Sequence, residues 1–527
     1  MMFSIRASTH RAMHAPVASA LVASALVASV VSAPDLRAQP AATGTTTTTT
    51  APRPLSLVEA LTLATGESAQ IALARAGSLR AQGQLGQARS ALMPQLATTM
   101  NWQKQLQNQF AAISERSSNN SSSGSGGNDT TSLADNPITR IFASQYNFNV
   151  GLSASQGLFS GGRTSATIRA ARAARESADI GITSAQAQVQ LDVTQTYYDA
   201  LLADRLVAIS ESSLVQSERT LRQVQLTRNV GSASEFELIR ARVTRDNQRP
   251  GWLQSRTNRD LAYVRLRQLL NLPPDQPLTL TDSIAESPVS APVATTAPIT
   301  TVNVNVADVL TIDPQVQAAV SRVLAGSDTG ISTRAPVKQA VKGVEVAQQQ
   351  LRATKAQRLP SIAATTNYQR LAYPAGILPK SLGDFFPNWT VGIGLSYPFF
   401  TGGRLRGEVQ AAEASVIEAR QRLRLAQEGA SLDARQAVAQ LTESEASWQA
   451  SVGTAEQAQR AYDIAEVRFR EGISTQLELS ETRNQLQQAL ANRAQAARNL
   501  QVARKRLELL PYLPLSQGST SSTGPTR

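Results

Sequence analysis

Few side chains in this sequence are placed to do chemistry. Its 527 residues include two His and no Cys. Both histidines, His10 and His14, lie in an N-terminal stretch that has the marks of a removable export signal. Without them, zinc, haem and iron–sulfur ligation of the usual kinds, thiol or imidazole nucleophiles, and disulfides are excluded. Acid–base work is left to carboxylates, Lys, Tyr and Ser/Thr. No convergent nucleophile and base can be picked out among them, so the chain reads as a non-enzyme that requires no cofactor and no metal. The carboxylates with the most suggestive spacing are Glu478 and Glu481, which follow Gly472. Being three residues apart on a helical stretch, they share one face. Glu237 stands the same distance after Gly231 as Glu478 does after Gly472. By spacing alone these are also ordinary surface glutamates.

The elements that would position them form a long internal repeat. Leu158-Phe159-Ser160-Gly161-Gly162-Arg163 recurs as Phe399-Phe400-Thr401-Gly402-Gly403-Arg404, an offset of 241. The same offset pairs Asp192 with Asp433, Gly231 with Gly472, Glu237-Leu238 with Glu478-Leu479, and Leu272-Pro273 with Leu513-Pro514. Upstream, Met93-Pro94 matches Leu359-Pro360 at an offset of 266. The first copy therefore carries about 25 extra residues, most of them in a Ser/Asn/Gly run from Ser114 to Ser132 that reads as a loop. A duplication of this length is a strong architectural signal.

Each copy changes period along its length. Residues 55–92 and 314–358 are helical in composition and run into a proline. A strand-like stretch from Ala97 to Leu106 follows in the first copy. Then Tyr146, Phe148, Val150, Leu152 and Ala154 alternate with Asn147, Asn149, Gly151, Ser153 and Ser155. The second copy repeats the alternation through Ile362, Ala364, Thr366 and Tyr368, and through Trp389, Val391, Ile393, Leu395 and Tyr397. Period two with one apolar face means strands with one greasy side. Strands of this length cross an outer membrane when tilted, and small polar residues on the other face suit a watery lumen. A soluble sandwich gives the same alternation. Trp102, Tyr146, Trp389 and Tyr397 lie at or near strand ends, where barrels carry their aromatic belts.

After each double glycine, helical sequence runs without proline from Arg163 to about Asn229 and from Arg404 to about Arg470. At 1.5 Å per residue each spans roughly 100 Å. Val409, Val416, Leu423, Ala430 and Ala437 fall seven apart, and Ile168, Ile182 and Val189 give the matching seam, which is coiled-coil spacing with small side chains. Each long helix meets a glycine turn, Val230-Gly231-Ser232 or Glu471-Gly472-Ile473, and a second helix returns over 233–270 or 474–510. Four strands cannot close a barrel, whose smallest forms have about eight. The strands need partners: two copies give eight, and three give twelve with room for a conduit.

Residues 1–38 combine a basic start with an Ala/Val/Leu/Ser run and small residues at Ala33 and Ala38, which is the pattern of a signal peptide cut after one or the other. The division is then a signal peptide over 1–38, a low-complexity linker over 39–54, a first repeat over 55–282, a linker over 283–306, a second repeat over 307–514, and a disordered tail over 515–527. The formal net charge of +12 raises nucleic acid as a partner, but the arginines are interleaved with Glu and Gln along helices. Solvated helix faces explain them better, and no nucleic-acid partner is expected.

In these features the sequence resembles the TolC-like outer-membrane efflux factors. The resemblance runs from about Leu55 to Pro514 and rests on the strand–strand–helix–helix order repeated twice, the twin Gly-Gly-Arg junctions (Gly161-Gly162 and Gly402-Gly403), and the twin glycine turns followed by a carboxylate. It implies a mixed α and β fold in which a duplicated chain contributes four strands to a trimeric 12-stranded outer-membrane β-barrel, and long antiparallel helices to a periplasmic α-helical barrel. It implies a homotrimer in the lipid of a Gram-negative outer membrane, working with a periplasmic adaptor and an inner-membrane pump or secretion ATPase. The chain itself has no Gly-x4-Gly-Lys-Ser/Thr phosphate loop, which suggests dependence on another protein for energy. The acidic aperture of such channels maps to Glu478, Glu481 and Glu237, with Arg240 as the repeat counterpart of Glu481. The adaptor-contacting tips map to Gly231, Ser232, Gly472, Ile473 and Ser474. Phe469 and Ser474 replace a Tyr and an Arg that help lock the best-known closed state. The rival reading, from another class, is an exported coiled-coil protein with no conducting pore.

Overall fold

The computed structural model describes residues 53–106, 146–284, 313–374 and 385–515, with isolated positions between 377 and 381. The signal-peptide segment, the Ser114–Ser132 run, most of both linkers and all but the first residue of the tail fall outside the described residues. The elements, in chain order, are β1 (Arg53–Leu55), α1 (Leu57–Glu67), α2 (Ala69–Ser90), β2 (Gln95–Lys104), β3 (Tyr146–Phe159), α3 (Arg163–Asn229), α4 (Glu235–Leu269) and β4 (Leu278–Leu280). The second copy follows with α5 (Pro314–Ala325), α6 (Ala335–Ala356), β5 (Ser361–Ala372), β6 (Phe385–Ser396), α7 (Arg404–Arg470) and α8 (Gln476–Leu509).

The duplication is metrically close. α2 and α6 each have 22 residues, and α3 and α7 each have 67. The four longer strands form one antiparallel sheet in the order β2-β3-β5-β6, so the two copies join at β3 and β5. α3 and α4 form one helical hairpin and α7 and α8 the other; α2 and α6 both lie against α3, and α6 also against α7.

Three expectations need correcting. The stretch 55–92 is two helices rather than one. Ser68 adopts an extended ψ of 126°, which ends α1 and caps α2. Likewise 314–358 breaks after Gly326, and a single 3-10 turn at Ile331–Thr333 separates α5 from α6. The linker placed over 39–54 ends too late, because Arg53–Leu55 pairs in parallel with Leu278–Leu280. A parallel pair this short has no periodicity to read. It is held by burial: Leu55 is fully covered, and its carbonyl accepts from Tyr197 Oη (3.0 Å) and from Thr281 N (3.1 Å).

Each copy has its own small core. Leu55, Ile71, Val189, Val193, Tyr197, Leu266 and Leu270 pack together in the first; Val316, Val320, Leu441, Leu500, Leu507 and Leu510 do so in the second. Each buried Leu or Ile contributes about 1.5–3 kcal/mol. Along α7 the sevenfold seam is real at Val409, Val416, Ala430 and Ala437, all buried, with Leu423 half-buried. On α3 the seam shifts to Ala166, Ala170, Ala173 and Val189, while Ile168 and Ile182 are half-buried.

Candidate functional site

One face of the sheet is largely apolar and exposed, interrupted by Arg370 of β5 opposite Val150. On β6, Trp389, Val391, Ile393 and Leu395 are 73%, 73%, 75% and 69% exposed, values no ordinary core strand shows. The register places them beside Tyr368, Thr366, Ala364 and Ile362 of β5, and continues through Leu152 and Val150 of β3 to Thr98 and Met100 of β2. The opposite face carries Asn101, Asn149, Asn367 and Gln369, with an amide–amide hydrogen bond from Asn149 Nδ2 to Gln369 Oε1 (3.1 Å). Two-sided exposure with opposite polarities is what a barrel wall between lipid and water needs. Trp102 and Tyr146 stack at one end of the sheet with ring centroids 6.0 Å apart. Trp389 is not terminal but the fifth residue of β6, its indole Nε1 donating to Thr366 Oγ1 (3.0 Å). Among the described residues β2 and β6 are the edge strands, each with one unpaired row of backbone donors and acceptors.

At the strand-to-helix junctions, all four glycines have left-handed backbone: Gly161 φ 63°, Gly162 φ 86°, Gly402 φ 58° and Gly403 φ 88°. Gly161 needs its missing Cβ twice over. A Cβ there would stand 2.6 Å from Leu359 Cβ and 2.9 Å from the Ala356 carbonyl oxygen. The same atom at Gly402 meets nothing within 4 Å.

At the far end of the hairpins, Gly231 (φ 83°) and Gly472 (φ 73°) end the long helices. Both turns are Schellman motifs. Ser232 N donates to Thr227 O (2.9 Å) and Gly231 N to Arg228 O (2.9 Å); Ile473 N donates to Arg468 O (2.8 Å) and Gly472 N to Phe469 O (3.1 Å). The return helices are capped by Ser234 and Thr475, whose hydroxyls accept from Glu237 N (3.2 Å) and Glu478 N (3.3 Å).

The two repeat-equivalent glutamates then diverge. Glu237 turns back on its own cap and accepts from Ser234 N (3.3 Å), completing a capping box. Glu478 crosses the turn to Arg468, Nη1 to Oε1 3.0 Å. The first copy ties its turn with a different pair, Arg228 to Glu235 at 3.2 Å. Glu481 is exposed and Arg240 half-buried, and among the described residues neither forms an ion pair within 4.0 Å. Gly231, Ser232, Gly472 and Ile473 are exposed and Ser474 is half-buried.

Sequence reasoning missed what joins the two tips. Phe469 packs into both hairpin clusters, against Leu238 and Leu221 on one side and Leu479 and Tyr462 on the other. Gln476 is buried. Oriented to satisfy both its polar atoms, its amide donates to the Glu237 carbonyl (3.1 Å) and accepts from Ala241 N (3.0 Å). Arg483, 3% exposed, lies in the same seam, and among the described residues its Nε and Nη2 have no hydrogen-bond partner. Desolvation lowers its pKa, opposed by the nearby Tyr462. Ser217, Thr220, Thr244 and Ser480 line a void of about 10 Å³ beside it, room for no more than one water molecule. No sequence signal marks Arg483, since its repeat counterpart Arg242 is exposed. Among the described residues, no helix is long and apolar enough to cross a membrane, and no three His, Cys, Asp or Glu side chains are grouped to hold a metal ion.

A sheet with one greasy face, carried on helices far longer than a globular core needs, has the build of an outer-membrane protein. The chain belongs to the outer membrane efflux protein family, which matches residues 60–272 and 326–510. It is a TolC-like protein of the outer membrane, in a family of efflux ducts rather than enzymes. It is similar to the pyoverdine export outer membrane protein OpmQ of Pseudomonas putida, with 26% identity over 340 residues, 64% of this chain. The chain spans 63% of that relative's length. Its fold is that of VceC from Vibrio cholerae (TM-score 0.62, 17% identity, 86% of this chain and 96% of that one). CmeC from Campylobacter jejuni (0.63, 16%, 88% and 86%) and MtrE from Neisseria gonorrhoeae (0.61, 18%, 87% and 89%) share it.

Proposed function

We propose that three copies assemble side by side, closing a twelve-stranded outer-membrane barrel above a periplasmic duct of paired helical hairpins. The duct receives substrate from a periplasmic adaptor and an inner-membrane pump or secretion ATPase, and conducts it passively outward. The observation that carries this reading is the strand register. Between repeats, Ser155 of β3 stands opposite Thr365 of β5. The repeat offsets carry that pair to Ser396 on β6 and Thr99 on β2, the two edge strands. A neighbouring copy can therefore continue the sheet with no new geometry, and closure removes both edges. The glycine junctions support the same arrangement. The contacts that crowd Gly161 come from α6 and the residues after it, and their repeat equivalents, Ser90 and Met93, are exposed. Those residues of the next copy would meet Gly402.

In this reading the hairpin tips converge on the duct axis. Glu478 and Glu481 line the aperture, with Glu237 and Arg240 at the matching places, and the carboxylates favour cations over anions there. The adaptor docks on Gly231, Ser232, Gly472, Ile473 and Ser474 and separates the hairpins, against the contacts made by Phe469 and Gln476. The relative named for pyoverdine export supports an export duct. The test is a Thr99→Cys/Ser396→Cys variant oxidised in native outer membranes. It should give covalent dimers and trimers on a denaturing gel, while the off-register pair Thr99→Cys/Gly392→Cys should not. Equal cross-linking by both pairs, or none by either, would contradict the assembly.

A further inference from the structure

At one pair of equivalent positions the two copies differ in a way that leaves a shaped cleft. In the second copy Arg334 is the N-cap residue of α6 and is 0% exposed. Its Nη1 donates to the Ala430 carbonyl (3.0 Å), and Nη2 lies 3.3 Å from Asp433 Oδ2. In the first copy the N-cap of the equal-length α2 is Ser68, whose side chain makes no cap hydrogen bond. Asp192 stands at the repeat position of Asp433. The carboxylate has been kept and the guanidinium removed.

A cleft of about 570 Å³ opens where the arginine is missing, lined by Ser68, Gln70, Asp192, Gln195, Arg265 and Asn271 among others. That volume lies within the range of small-molecule sites, roughly 300–1,000 Å³. Asp192 accepts one hydrogen bond, from Gln188 Nε2 (2.7 Å), and among the described residues no Lys or Arg lies within 4.0 Å of it. Desolvation raises its pKa, so the ionised carboxylate gains from a cation brought to it. Arg265 in the wall does not stand in for Arg334. Its counterpart Arg506 coexists with Arg334 in the second copy and donates to Gln440 Oε1 (3.1 Å) instead.

We infer that the cleft between Ser68 and Asp192 is a binding site for a guanidinium or primary ammonium group, held by Asp192 as Asp433 holds Arg334. The second copy provides the template: a charge-assisted N–H donor pair reaching a carboxylate and, one turn away, a main-chain carbonyl. The repeat-equivalent residue of Ala430, Val189, is buried in the core and does not line the cleft, so Asp192 carries the contact. Two sources can supply such a group: a small organic cation, or an arginine side chain from a second copy of this chain.

The test uses the full-length protein in detergent, titrated calorimetrically with agmatine, and with tetramethylammonium as a cation lacking N–H donors. Agmatine should bind, tetramethylammonium should not, and Asp192→Asn should weaken agmatine at least tenfold. Ser68→Arg supplies the guanidinium internally, so it should abolish agmatine binding and raise the melting temperature. Should Ser68→Arg fail to fold, Asp192→Asn carries the test alone. If wild type ignores agmatine but Asp192→Asn lowers the oligomer mass in light scattering, the group comes from a second copy. Equal agmatine affinity with and without Asp192, or no binding together with an unchanged oligomer, would overturn the assignment.

Discussion

Arg468 and Glu478 meet at 3.0 Å across the Gly472 turn, joining the last turn of one long helix to the first turn of its return helix. The repeat-equivalent glutamate, Glu237, makes no such crossing and caps its own helix instead. The two hairpins thus share a backbone fold while presenting different charge at their tips. The pair is solvated, with side chains 47% and 40% exposed, so it orients Glu478 more than it stabilises the hairpin. Glu478→Gln should therefore change unfolding free energy by less than about 1 kcal/mol in denaturant titrations. A larger loss would mean that the pair is structural.

The glycine junctions give a sharper contrast. Gly161→Ala adds a clash with Leu359 and Ala356 to the strain of left-handed backbone, whereas Gly402→Ala adds only the strain within one chain. Left-handed backbone costs an alanine about 1–2 kcal/mol. In a dissociated protomer Gly161→Ala should be the more destabilising of the two by thermal melting. In the assembled protein the two should converge, because the neighbouring copy would crowd Gly402 as α6 crowds Gly161.

Arg483 is a buried cation without an ion-pair partner within 4.0 Å among the described residues. Replacing buried ionic groups with apolar side chains of similar volume is often neutral or stabilising by about 1–4 kcal/mol, and a charge with no ion-pair partner has the least to lose. Arg483→Met should raise the melting temperature. Because hairpin separation would hydrate the guanidinium, the same variant should also lower the spontaneous open probability. A stabilised variant with unchanged opening would separate Arg483 from gating.

Asp204 provides a pH test away from the tips. Its carboxyl accepts from Tyr263 Oη at 2.6 Å. Burial pushes its pKa above the ordinary 3.8, outweighing the lowering by Tyr263 and Arg259. The folded state thus holds this proton more tightly than the unfolded state, so this contribution to stability is present below about 3.8 and is lost as pH rises through the folded value. Asp204→Asn keeps an acceptor for Tyr263 without the charge. It should gain on wild type in melting temperature between about pH 3 and about pH 6.5. A gain that shrinks over that interval would reverse the sign.

Much of the architecture was legible because it is periodic or repeated. Offsets of 241 and 266 locate both hairpins and all four long strands, and the single glycines read as turn residues, Gly231 and Gly472, have left-handed backbone. What escaped was either too short to have a period, as with Arg53–Leu55 against Leu278–Leu280, or a break inside continuous helical composition, as at Ser68. The spacing that puts Glu478 and Glu481 on one helix face could not show that Arg468 holds the first of them. Nor could it show that Phe469, Gln476 and Arg483 form the seam between tips. Those roles depend on which face of each hairpin meets the other, and both hairpins carry similar small-residue seams.

The most direct test of a conducting duct with an acidic aperture is single-channel recording of the purified protein in a planar bilayer under a salt gradient. The account predicts discrete conductance steps with a cation-selective reversal potential, and a shift toward zero for Glu478→Gln/Glu481→Gln. Insertion into the bilayer with a reversal potential that the double variant leaves unchanged would contradict the aperture. Failure of the protein to insert at all would contradict the channel.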